Sequence, residues 1–165
     1  MRTGGRAYPA RVADGLVEMT VGPVEVAETE TMELGGVRVE LTPVDLGNPH
    51  AVVRGEFDRD DLLRLGPLLE RHERFPERTN VQLVRVTGQH ELAALVWERG
   101  AGETSASGSS AVAVAAVAIA NGWCESPVSV RMPGGELRVE LDEDNQATLT
   151  GPAEEICVGE LVEPG

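Results

Sequence analysis

The chain has few aromatic residues, little cysteine and a deficit of positive charge. Only 3% of its 165 residues are aromatic, so large rings cannot fill most of the core. The two cysteines, Cys124 and Cys157, match neither a paired-cysteine motif nor a zinc-ligand spacing. We therefore expect no disulfide framework and no metal site.

Charge and hydropathy exclude further classes of partner. The formal net charge of −14 would repel a nucleic-acid backbone or an anionic membrane. The longest apolar run, residues 111–120, is about half the length of a membrane-spanning helix. The first residues lack the apolar core of a signal peptide. The composition predicts a soluble cytoplasmic protein that binds neither nucleic acid nor membrane.

Apolar and polar residues alternate with a period of two in several segments, which is the pattern of half-buried strands. These segments are 16–21, 37–41, 81–86 and 137–141. Segments 51–53 and 93–97 are more continuously apolar, which predicts strands covered on both faces. The pairs Gly35-Gly36, Gly134-Gly135 and Asp144-Asn145 interrupt the alternation where hairpin turns are expected.

Two segments have helical character. Residues 60–72 carry leucines on one face, which predicts an amphipathic surface helix whose second half starts near Pro67. The leucines are Leu62, Leu65, Leu68 and Leu69. Residues 109–120 have almost no polar face, so the helix predicted there must be buried. Together these features predict an α+β fold in which a curved, barrel-like sheet, antiparallel or mixed, wraps around a central apolar helix.

The first 30 residues fit this architecture poorly. They contain one convincing strand and then the acidic segment 25–30, which is typical of a linker or of an edge strand. We expect residues 1–30 to be a strand and linker left from a preceding domain, and residues 31–165 to form the main domain.

Four polar segments occur where core packing does not require them. They are Gly47-Asn48-Pro49-His50, Arg78-Thr79-Asn80, Glu98-Arg99 and the Gly- and Ser-rich run 102–110. A loop of the last kind, when it opens a buried helix, presents free backbone N–H groups and the positive end of the helix dipole. The sequence therefore predicts an anion site at the start of the buried helix.

Each segment also has a purely structural explanation. Gly-Asn-Pro is ordinary turn chemistry, His50 fits a hydrogen-bonded core histidine, and Asn80 fits a loop cap. Glu98-Arg99 fits a solvated pair at the rim of the sheet, and Ser109-Ser110 fits the N-cap of the helix. Only the occurrence of all four segments in this order argues for a functional site.

In this order, the segments resemble the C-terminal half of diaminopimelate epimerase. The stretches are LGNPHAVV, RFPERTNVQLVRV, VWERGAGETSASGSSAVAVAAVAIANG, VRMPGGELRVELDED and TGPAEEICVGEL, between residues 37 and 161. In that family two similar domains, each a barrel-like sheet around a helix, close over an amino acid. The resemblance implies an isomerase that converts LL- to meso-diaminopimelate for lysine and peptidoglycan precursors, without metal or pyridoxal phosphate.

The resemblance also implies roles for individual residues. The family uses two cysteines, one from each domain, and Ser107 stands where the second belongs. His50 and Glu98 resemble the residues that adjust this thiol pair. Asn48 and Asn80 resemble the asparagines that hold the polar groups of the substrate.

Further positions match the binding of the two ends of the substrate. Glu98 and Arg99 resemble the pair that holds its distal amino-acid end, where opposite charges suit an ammonium and a carboxylate. Gly108 and Ser109 resemble the residues whose backbone N–H groups bind the reacting carboxylate, with Ser109 in place of the usual threonine. Ser110 stands where the family generally has glycine.

Ser107 is the main departure from the family pattern, because a hydroxyl is a far weaker base than a thiolate near neutral pH. Cys124, beyond the far end of the buried helix, and Cys157, in the expected last strand, cannot replace the missing thiol. Three functions stay open: an epimerase half that another domain completes, a one-base isomerase or dehydratase, and a non-catalytic amino-acid-binding module. The expected ligand is a diaminopimelate-like amino acid, and the expected assembly is a homodimer or a complex with a separate N-terminal half.

Overall fold

The fold is described from a computed structural model, in which residues 2–3, 6–154 and 156 are described. The strands are β1 (Arg2–Thr3), β2 (Arg6–Ala7), β3 (Ala10–Ala13), β4 (Leu16–Pro23), β5 (Glu25–Val26), β6 (Glu30–Leu34), β7 (Val37–Asp45), β8 (Pro49–Arg54), β9 (Asn80–Gly88), β10 (Glu91–Glu98), β11 (Gly102–Thr104), β12 (Val128–Met132), β13 (Gly135–Leu141) and β14 (Gln146–Pro152). The helices are α1 (Arg59–Glu70) and α2 (Gly108–Ala120). Neither of these helices is both long and apolar enough to cross a membrane.

Twelve of the strands form one mixed sheet in the order β3-β4-β14-β13-β12-β10-β9-β8-β7-β5, with β11 paired to β10 and β6 to β7. The pairs β8–β9 and β10–β12 are parallel, and the others are antiparallel. Parallel neighbours need a crossover connection, and α1 and α2 lie in the two crossovers. The sheet does not close into a barrel, since β3 and β5 remain at its ends.

The central strands are buried on both faces. In β8, Val52 belongs to the core around α2, whereas Ala51 and Val53 belong to a second core against α1. Because each face of this strand meets a helix, apolar residues follow one another without alternation. The predicted strand at residues 51–53, covered on both faces, is confirmed.

Helix α2 occupies the inside of the curved sheet. Residues 110–118 are all buried, and the helix contacts strands from β5 at one end of the sheet to β14 near the other. Beyond Ser110 these residues are only alanine and valine, so an apolar surface surrounds the helix on every side. The predicted fold, a curved mixed sheet around a central apolar helix, is confirmed.

Helix α1 differs from its prediction. It begins after the N-cap Asp58, whose side chain forms a capping box with Asp61, and it ends at Glu70 rather than at residue 72. Pro67 lies inside the helix and does not start a new segment. The carbonyl that Pro67 leaves without a helical donor belongs to Leu63, which is 39% exposed, so water can satisfy it.

The leucine face of α1 is narrower than predicted. Leu62, Leu65 and Leu69 are buried, whereas Leu68 is 45% exposed. Leu68 lies three positions after Leu65 and directly before Leu69. It is therefore at the border of the apolar stripe rather than within it.

The segment before residue 31 contributes strands to the main sheet. β4 pairs with β14 along its length, and Val24, which follows β4, is buried in the core around α2. The acidic residue Glu25 lies in β5, an end strand. The predicted domain boundary at residue 30 stays a prediction.

Of the two cysteines, the structure describes Cys124. Cys124 follows α2, is buried, and its Sγ lies 3.5 Å from the carbonyl oxygen of Gly88. Burial raises the pKa of this thiol, which fits a packing residue. Cys157 lies outside the described residues.

Gly66 in α1 gives a test of the packing between α1 and the sheet. An alanine in a helix is ordinarily more stable than glycine by about 1 kcal/mol. Here the added Cβ would lie 2.8 Å from Cγ of Trp97, whose ring is held by a hydrogen bond to Glu70. We expect Gly66→Ala to destabilise the protein by about 1–3 kcal/mol in urea unfolding. A stabilised variant would contradict this packing.

Candidate functional site

The N-terminus of α2 is open. Ser107 is the N-cap, with φ −152° and ψ 123°, and its Oγ accepts from the Ser110 N–H at 3.5 Å. The expectation that Ser109 or Ser110 is the cap is therefore wrong, because the helix begins one residue earlier than predicted. Among the described residues, the N–H groups of Gly108 and Ser109 have no acceptor. With no acidic residue in the first turn, this helix end can receive an anion.

The loop before α2 is held from two sides. The Gly134 N–H, in the turn between β12 and β13, donates to the Ser105 carbonyl at 2.7 Å. A Cβ on Gly134 would lie 2.9 Å from Ser105 Oγ and 3.0 Å from that carbonyl oxygen, so a larger residue would displace the loop. On the other side, Arg59 donates through two nitrogens to the Glu103 carboxylate, both at 2.7 Å. The Ser107 backbone is thus carried by an anchored loop.

Asn80 joins the ends of three neighbouring strands. It begins β9 and lies opposite His50 of β8. Its Nδ2 donates to the Pro49 carbonyl at 3.2 Å, and its Oδ1 accepts from the Arg99 N–H, beyond the end of β10, at 2.9 Å. The side chain therefore makes the contacts expected of a loop cap. Its second amide N–H has no acceptor in the described part of the chain and remains for a ligand.

Of the three other predicted ligands, two have side chains without a hydrogen-bonding role in the described part of the chain. Glu98 is half-buried at the end of β10, and Asn48 is half-buried in the turn before β8. Neither side chain makes a hydrogen bond or ion pair to any described residue, so Glu98 and Arg99 do not pair with each other. Arg99 is exposed and donates through Nη1 to the Glu77 carbonyl at 3.1 Å.

His50 connects to α2 through a residue that the sequence did not single out. His50 and Gln82 are fully buried, and Ser110 is 1% exposed. Gln82 Nε2 lies 3.0 Å from His50 Nδ1 and donates to Ser110 Oγ at 2.9 Å. The available signal was a glutamine inside the apolar alternation of residues 81–86, where a polar side chain needs a buried partner.

Burial governs the charge of His50. It lowers the pKa of the imidazole to about 4, with a smaller lowering from Arg99, while Asp45 acts in the opposite direction. The ring is therefore neutral at pH 7.

Glu70 is a second buried polar residue that sequence reasoning missed. Its carboxylate accepts from Trp97 Nε1 at 2.8 Å and from the Gly100 N–H at 3.0 Å, and Arg78 lies 3.6 Å away. The Trp97 hydrogen bond, assisted by the Gly100 N–H, lowers the pKa of this carboxyl. Glu70 thereby fixes the turn that carries Arg99. Its signal was an acidic residue next to the leucine face of the predicted helix.

A cleft of about 480 Å³ lies beside His50, between β5, β7, the start of β8 and the segment 74–78. Its lining includes Val44, Asp45, Phe75 and Arg78. None of the other predicted site residues lines it. Ser107, Gly108 and Ser109 lie at the start of α2, whereas Asn48, Asn80, Glu98 and Arg99 lie at or next to the ends of β8, β9 and β10.

The chain was compared with known proteins. The family model for diaminopimelate epimerase matches residues 42–156. A diaminopimelate epimerase from Stutzerimonas stutzeri is 38% identical over 162 residues, and one from Pseudomonas aeruginosa is 40% identical over 162; each match covers 90% of this chain and 59% of the relative. The chain therefore spans about three fifths of the length of these curated relatives.

Solved structures share the fold at low sequence identity. A hydroxyproline epimerase from Agrobacterium vitis aligns with a TM-score of 0.66 at 17% identity, over 88% of this chain and 53% of that one. A methylitaconate-delta-isomerase aligns with a TM-score of 0.56 at 14% identity, over 93% and 59%. At these identities the similarity shows a common architecture.

The buried histidine predicts a pH dependence of stability. Because the folded pKa of His50, about 4, is below the unfolded value of about 6.5, the unfolded chain binds more protons between these values. Stability is therefore lost as pH falls through this range, by about 2 kcal/mol between pH 7 and pH 5 from this residue.

Urea unfolding at the two pH values measures the loss, and an NMR titration of the His50 ring measures its midpoint. The His72 and His90 signals are followed in the same sample for reference. A His50 midpoint at or above 6.5 would contradict the prediction.

Proposed function

Because the chain belongs to the diaminopimelate epimerase family, we propose that it is the C-terminal half of a diaminopimelate epimerase-like site and binds an amino acid at the start of α2. The observation that carries this proposal is the pair of N–H groups on Gly108 and Ser109, without a partner among the described residues, at the open N-terminus of a buried helix. Such a terminus binds a carboxylate without reorganising.

The neighbouring strand ends supply groups for the rest of an amino acid. Arg99 offers a guanidinium for a second carboxylate, and Glu98 offers a carboxylate for an ammonium group. Asn80 retains an amide N–H, and Asn48 has an unengaged side chain. This set suits a diamino dicarboxylic acid, which has an amino-acid group at each end.

Epimerisation needs a base on one face of the α-carbon and an acid on the other. Ser107 cannot supply a thiolate, so we propose that the chain alone does not turn over its ligand and that a second half must complete the site. The chemistry proposed needs neither metal nor pyridoxal phosphate, in line with the family resemblance. Val12 and Leu16, which are 74% and 46% exposed on β3 and β4, support an additional chain covering this end of the sheet.

A second candidate is a non-catalytic amino-acid-binding module. The observation that favours it is the N-cap position of Ser107, whose Oγ faces the Ser110 N–H and lies 3.5 Å from Ser109 Oγ. Serine is among the preferred N-cap residues, so this hydroxyl has a sufficient structural reason for its place. The two candidates share the binding surface and differ in turnover.

Binding is tested by titration calorimetry with diaminopimelate stereoisomers. We expect the chain to bind, and the amide signals of Gly108 and Ser109 to shift in parallel. Arg99→Ala should weaken binding roughly tenfold or more, because it removes a charge-assisted contact. Arg38→Ala is the matched control. Arg38, near the start of β7, is exposed and forms no ion pair with any described residue. If no isomer binds, the proposed surface is wrong.

Turnover is tested by α-proton exchange in deuterated water. The chain alone should give no exchange. Ser107→Cys, mixed with the N-terminal half of the Pseudomonas aeruginosa relative, should give exchange and epimerisation, because each face of the α-carbon then has a thiol. If the two halves form a complex that binds ligand without exchange, the epimerase proposal fails and the binding module is favoured. Exchange with Ser107 retained would indicate one-base chemistry.

A further inference from the structure

A buried polar line behind the first turn of α2 has no part in the function proposed so far. It consists of His50, Gln82 and Ser110, which are 0%, 0% and 1% exposed. The three side chains come from β8, β9 and α2, so they meet only in the folded protein. Two polar atoms of the line, His50 Nε2 and Gln82 Oε1, are buried without a partner among the described residues.

The amide of Gln82 determines which ring nitrogen of His50 carries the proton. Gln82 Nε2 carries two N–H bonds and no acceptor. It donates to Ser110 Oγ at 2.9 Å and contacts His50 Nδ1 at 3.0 Å. Since an amide nitrogen only donates, Nδ1 must accept, and the single proton of the neutral imidazole then lies on Nε2.

The opposite orientation of the amide is less favourable. In that orientation Gln82 Oε1 would accept from His50 Nδ1–H and from the Ser110 hydroxyl. Both amide N–H bonds would then lie in the buried position that Oε1 now occupies, where no described residue accepts them. The present orientation leaves one unpaired donor, His50 Nε2–H, and one unpaired carbonyl oxygen. Buried N–H groups without an acceptor are rarer in proteins than carbonyls without a donor, which favours the present arrangement.

We propose that Gln82 and Ser110 are positioning residues that hold His50 as its Nε2–H tautomer, so that the ring offers a fixed hydrogen-bond donor and no base at Nε2. The inference rests on the proposed function and on the family resemblance, which implies that His50 adjusts the thiol pair of the completed site. A fixed donor stabilises an anionic acceptor such as a carboxylate or a thiolate. It does not remove a proton from the substrate or from Ser107.

Ser110 is required because it is the second acceptor of the amide. Without its Oγ, one N–H of Gln82 would be buried unpaired, and both orientations of the amide would then leave two unpaired N–H groups, so the preference for the present one would be lost. The serine and the glutamine therefore act as one unit. A serine at a position that the family generally fills with glycine thus has a specific partner in this chain, Gln82.

The test is the tautomer of His50 in the intact chain, read from long-range ¹H–¹⁵N correlations of the imidazole at pH 7. In the wild-type protein we expect an unprotonated Nδ1 and a protonated Nε2, with a preference of about tenfold or more, because the reverse would set donor against donor. A protonated Nδ1 in the wild-type protein overturns the proposal. This measurement requires no variant, so a folding defect cannot obscure it.

Variants separate positioning from packing. Gln82→Glu replaces the donor with a carboxylate that only accepts, so Nδ1 should become protonated while side-chain volume is kept. Ser110→Ala should lower the tautomer preference, whereas Ser109→Ala, an exposed serine in the same turn, should not. An unchanged wild-type pattern in Gln82→Glu overturns the proposal. The tautomer is measured without ligand or partner, so its outcome is independent of whether the chain binds diaminopimelate.

Discussion

The burial of α2 is the constraint on which the rest of this molecule depends. A helix with apolar residues on every side has to be enclosed, and the mixed sheet from β5 to β14 curves around it to do so. Enclosure removes the sides of the helix from solvent and leaves its two ends as the reachable parts. Because the first N–H groups of any helix lack internal acceptors, the same packing that stabilises the core leaves free N–H groups at the open start of α2.

Much of the architecture follows from local pattern. The apolar run 111–120 required a buried helix, and residues 51–53 required a strand with two covered faces; both requirements are properties of a few neighbouring residues. The resemblance to diaminopimelate epimerase was confirmed by the family match over residues 42–156. Pro67 was misplaced because its effect depends on whether the freed carbonyl reaches water, which only the packed helix determines.

The polar interior was harder to predict because its contacts are distant in sequence. Gln82 meets a histidine 32 positions earlier and a serine 28 positions later, and Glu70 holds groups 27 and 30 positions away. Each residue taken alone is compatible with a solvated position. Their contacts depend on the crossover through α1, which places β8 beside β9, and on the antiparallel pairing of β9 with β10. The N-cap was missed for a smaller reason, a helix start that differs by one residue from the predicted one.

The N-cap at Ser107 links the stability of α2 to the choice between oxygen and sulfur at this position. A side-chain oxygen is a better acceptor for a helix N–H than sulfur, and N-cap serines stabilise helices by about 1 kcal/mol over residues without an acceptor. A thiol at that position can act as a base, but it caps the helix less well, so activity and stability conflict there. With an oxygen at position 107, α2 keeps the better of the two caps.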